Sequence, residues 1–60
     1  MQEFDIHQYA RQLWGARGPK AIAEAAQKAS AFEKEGKKEQ ARHWRLIESI
    51  LLEMRGPRQS

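Results

Sequence analysis

The chain is 60 residues long and has eleven Lys/Arg against eight Asp/Glu, a net charge of +3, and no cysteine. Disulfides and thiolate metal sites are therefore excluded, and the length allows one domain at most. A domain of this size buries only roughly 60% of the surface its unfolded chain exposes, so its stability must come from tight helix packing or from self-association.

The first helix is announced by Asp5, with Gln8 at capping-box spacing and Phe4 and Tyr9 at the two positions of a hydrophobic staple. Ile6, Tyr9, Ala10, Leu13 and Trp14 then recur at i, i+3, i+4, i+7 and i+8 as one apolar stripe. Gly15 is the expected stop. The segment Gly15-Ala16-Arg17-Gly18-Pro19 breaks the chain, and Pro19 suits the first position of a new helix, where a missing N–H costs nothing.

A second helix is predicted from Pro19 to Glu35, with Ile22, Ala25, Ala26, Ala29 and Phe32 on its inner face. Most of these are alanine, which makes the face a slot for bulky side chains from neighbouring helices. Gly36 ends it, because glycine takes a left-handed conformation without penalty. A third helix follows to Met54 or Arg55, where Gly56-Pro57 stops it, and the last three residues are expected to fray.

The third helix carries the most apolar surface. Trp44, Ile47, Ile50, Leu51 and Met54 form its main stripe, with Leu46 at one edge and Ala41 and Leu52 at the other. This arc is wider than the ~100° stripe a surface helix needs. Either the other two helices flank it from two sides, or part of it meets a second molecule. The expected fold is thus all-α, a three-helix bundle over about 6–15, 19–35 and 38–55 in one domain spanning 1–60.

Ala29, Phe32, Gly36 and Ala41 stand at the spacing of the small residue, aromatic, turn glycine and alanine of a tetratricopeptide helical hairpin. The stretch resembles roughly half of one such repeat. It departs from the pattern at Lys37, where a polar cap is usual, and at Glu48, where a small residue is usual. One unit implies neither an array nor that family's peptide groove. The stretch from Ala26 to Trp44-Arg45 and the ending Met54-Arg55-Gly56-Pro57 are also similar to short, uncharacterised helical proteins of proteobacteria, a resemblance that implies no function.

Catalysis is not expected. Ser30, Ser49, Ser60 and Tyr9 are the available nucleophiles, none lies in a nucleophile motif, and a substrate pocket is hard to build from sixty residues. His7 and His43 fall on different helices. Glu39 and His43, at i and i+4, read as a surface ion pair, since a zinc site needs at least three protein ligands. No metal, cofactor or small-molecule substrate is expected.

Arg17 and Lys20 flank a helix N-terminus and are the residues offered for an anion site. The plainer reading is an interhelical turn with solvated basic residues, because both glycine-rich phosphate fingerprints are missing. Lys34, Lys37, Lys38, Arg42 and Arg45 cluster near the second turn, but Glu33, Glu35 and Glu39 interrupt them. In a DNA-reading helix-turn-helix the position of Phe32 is usually small, and the helix after the turn is here too apolar to lie in a groove.

The reading that follows is a non-enzymatic protein-interaction or regulatory module. It binds a protein partner or itself through helix three, with Trp44, Leu46 and Ile50 at the interface and Arg42, Arg45, Glu48 and Glu53 for its polar rim. The alternative is a small basic nucleic-acid-binding accessory protein. Self-association as a twofold dimer is expected, the rivals being a monomer that wraps both other helices around helix three and a patch kept for a foreign protein. Met1 is followed by Gln2-Glu3-Phe4-Asp5 rather than a basic start and an apolar run, and no apolar stretch is long enough for a bilayer, so the expected location is the cytoplasm.

Overall fold

The computed structural model describes residues 5–56, which form three α-helices: α1 (Ile6–Arg17), α2 (Lys20–Lys34) and α3 (Lys38–Arg55). No strand occurs among the described residues. The all-α three-helix architecture is as the sequence predicts. The staple residue Phe4 and the final residues after Gly56 lie outside the described residues.

Asp5 caps α1, its Oδ1 accepting from the Gln8 backbone N–H at 3.3 Å. The helix does not stop at Gly15. It runs through Gly15 to Arg17 and ends at Gly18, whose φ of +62° and ψ of −143° lie in territory that essentially only glycine occupies. Pro19 explains the shift, because the residue before a proline is pushed out of the helical region. Pro19 itself has helical angles, and α2 begins at Lys20.

At the other end of α2 the chain turns through a Schellman motif. The Lys37 N–H donates to Phe32 C=O at 2.9 Å and the Gly36 N–H to Glu33 C=O at 3.1 Å, with Gly36 at φ +80°. Both bonds engage carbonyls of the last helical turn, and α3 starts two residues after Gly36.

The core is small and built on α3. Ile47, Ile50 and Leu51 are buried against Ala10 of α1 and Ala21 and Ala25 of α2, with Ile6, Tyr9, Leu13, Trp14, Ile22, Trp44 and Met54 packed around them. Ala29 and Ala41 are buried nearer the α2–α3 turn. The alanine slot exists, but it is lined by Ala21, Ala25 and Ala29, whereas Ala26 is only half-buried. Packing is closest between α2 and α3, looser between α1 and α3, and slight between α1 and α2. Two helices thus embrace α3 from two sides, which covers most of its wide apolar arc and leaves Leu46 and Leu52 open.

Candidate interaction surface on helix three

Trp44 sits where all three helices meet. Its ring lies edge to face with Tyr9 of α1, centroids 6.0 Å apart and planes at 73°. Lys28 of α2 places its ammonium 5.6 Å from the same indole, within cation–π range. Trp44 is half-buried and ties the bundle together.

Ile50, expected at the interface beside Leu46, is in the core and only 6% exposed. The two differ by about 40° around the helix, and the flanking helices cover one and not the other. The large apolar side chains left open are Leu46, 49% exposed, and Leu52, 38% exposed. Leu52 takes the place that the sequence pattern gives to Ile50.

These two leucines bracket Ser49, three residues before and three after it. At about 100° per residue they fall about 60° to either side of it on the outward face of α3. Arg42, Arg45 and Glu53 lie between them, all exposed. The face is therefore a small central serine, two leucines at opposite corners, arginines toward one end and a glutamate toward the other.

Arg45 is held in place across the α2–α3 hairpin. Its Nε and Nη2 donate to the two carboxylate oxygens of Glu33, each at 3.2 Å, and its Nη1 donates to Glu48 at 3.2 Å. The hydrogen bonds from Arg45 lower the Glu33 pKa, and those to Glu33 and then Glu48 raise that of Arg45. Both groups are solvent-exposed, so the pair fixes geometry more than it adds stability.

Two adjoining depressions run along the seam of α1 and α3. One, of about 280 Å³, is lined by Ile6, Glu39, Arg42, His43 and Leu46. The next, of about 320 Å³, is lined by Tyr9, Gln40, His43, Trp44 and Ile47. Glu39 and His43 thus share one wall, but among the described residues no group of three or more metal-binding side chains comes together. The sequence pattern places Ile6 and Tyr9 on the inner stripe of α1 and does not mark them as surface. Only the partial cover of α1 over the first half of α3 brings them to the groove.

The proposed anion residues are not brought together as a site. Arg17 turns to Glu24, its Nη1 donating to the carboxylate at 2.8 Å. The Ala21 and Ile22 amides at the start of α2 donate to Gly18 and Pro19 carbonyls. Lys20 remains exposed beside them. The basic cluster is likewise partly neutralised, since Arg45 is committed to Glu33 and Glu48, and Lys37 lies 3.5 Å from Glu35. Among the described residues no helix is long and apolar enough to cross a membrane. Comparison of the chain with protein-family models, curated proteins and solved structures gives no significant match.

Proposed function

We propose that this protein is a small, non-enzymatic interaction module whose docking surface is the outward face of α3. The observation that carries this reading is that the described residues leave two large apolar side chains open, Leu46 and Leu52, and both lie on that one helix. Leaving such a pair in water forfeits part of the ~1.5–3 kcal/mol that burial of each would contribute, in a domain with a few kcal/mol in hand. The polar residues between them supply orientation and register for whatever covers the two leucines. Nucleic-acid binding is disfavoured because Glu33 and Glu35 lie within the basic cluster and offset part of its charge.

The test is capture with the full chain as bait, from its native cell, comparing wild type with the Leu46→Asp/Leu52→Asp double variant. Both leucines are surface residues, so circular dichroism should show an unchanged fold. Binding, whether of a foreign protein or of a second copy, should be lost in the variant. Equal recovery by both would contradict the reading. Association with generic DNA that falls steeply with salt would favour the nucleic-acid alternative instead.

A further inference from the structure

We infer that the occupant of this face is a second copy of the chain, docked as an antiparallel α3–α3 pair across a twofold axis at Ser49. The inference rests on the reading above and specifies the partner. It follows from how the exposed residues are spaced. In an antiparallel helix pair with its dyad at residue n, residue n−k of one chain lies level with residue n+k of the other. With n at Ser49, Leu46 of one protomer is level with Leu52 of its partner, about 4.5 Å along the axis from the dyad, and the reverse pairing closes the other end. The two open leucines of the described residues are thus mutual partners under one symmetry operation.

The charges obey the same symmetry. Arg45 and Glu53 are four residues before and after Ser49, so each Arg45 meets the partner's Glu53 about 6 Å from the dyad. A guanidinium has five N–H donors, and Arg45 uses three in its bonds to Glu33 and Glu48. Two remain for an incoming carboxylate. Glu53 is exposed and has no ion pair among the described residues. A parallel pair would instead set Arg45 against Arg45 and Glu53 against Glu53. At the crossing point the exposed, small Ser49 lets the two helix axes approach toward the close end of the ~8–10 Å packing range. One helix pair makes a small interface, so dissociation in the micromolar range is expected.

The decisive experiment uses Ser49→Cys in the otherwise cysteine-free chain. At the dyad the introduced thiols of two protomers are adjacent, and mild oxidation at high micromolar concentration should give a disulfide dimer quickly. Lys34→Cys, on the exposed end of α2, should link at least tenfold more slowly. In parallel, Glu53→Arg should weaken self-association about tenfold or more in sedimentation equilibrium, and adding Arg45→Glu should recover part of the loss by swapping the pair. A strictly monomeric wild type, or cross-linking of Ser49→Cys no faster than of Lys34→Cys, overturns the inference. If that happens while the leucine double variant still loses a foreign partner, the docking face stands and only the second copy fails. If the double variant loses nothing, both fail.

Discussion

Tyr9 and Trp44 meet edge to face, with 6.0 Å between ring centroids and 73° between planes, and this contact joins α1 to α3. With the Lys28 ammonium 5.6 Å from the same indole, one side chain connects three helices. A tryptophan at such a node is structural, and its half-exposure reflects the thinness of the bundle. Trp44→Ala should cost about 2–4 kcal/mol, less than the most severe buried-aromatic truncations because the ring is half-covered. That is most of what a domain this small holds. Urea denaturation followed by circular dichroism should show Trp44→Ala close to unfolded at room temperature and Trp44→Phe intermediate.

The glycines separate cleanly by conformation. Gly15 is helical, exposed, and has nothing within 4 Å of where a Cβ would be. Gly15→Ala should therefore stabilise by about 0.5–1 kcal/mol. Gly18 and Gly36 have positive φ, so alanine at either should destabilise by about 1 kcal/mol or more. Thermal melts of the three variants check this directly, and a destabilised Gly15→Ala would mean that α1 does end at Gly15.

Alanine is a spatial requirement on α2, not a filler. Ala25 and Ala29 are fully buried. Leucine at either should overpack the contact with α3 and cost about 1–3 kcal/mol. Ala26→Leu, at a half-buried position, should cost less. Equal melting temperatures for Ala25→Leu and wild type would move the slot elsewhere.

These positions show how far the pattern of residues carries. Asp5 and Gly36 act on their own neighbours, so the start of α1 and the end of α2 were legible from local chemistry. The choice between Gly15 and Gly18 was also written locally, in the proline after Gly18, since an exposed helical Gly15 costs only about 1 kcal/mol. Ala25 against Ala26, and Ile50 against Leu46, were not legible. Each pair shares a stripe on the wheel, and only the seating of α1 and α2 on α3 decides which member is covered. The Arg45–Glu33 fork spans twelve residues and likewise appears only once the hairpin is closed.

The fork predicts a specific dependence on pH. Folding lowers the Glu33 pKa, chiefly through the hydrogen bonds from Arg45. Its contribution is therefore complete above the unfolded carboxylate pKa and is lost as pH falls through the lowered folded value. Glu33→Gln should reduce the melting temperature slightly at neutral pH. The gap between variant and wild type should close in acid, and should shrink in high salt because both side chains are exposed. A gap that persists unchanged in acid would show that the ion pair is not its cause.

The pairing of α3 with a second copy is tested most directly by following backbone amide chemical shifts of the labelled full chain from low micromolar to millimolar concentration. Concentration-dependent shifts are expected at Leu46, Ser49, Leu52 and Glu53, with Ala21 and Ala25 in the core unmoved. Shifts absent across that range, or confined to the Gly18–Lys20 turn or to Ile6 and Tyr9 on the α1 wall of the groove, would contradict it.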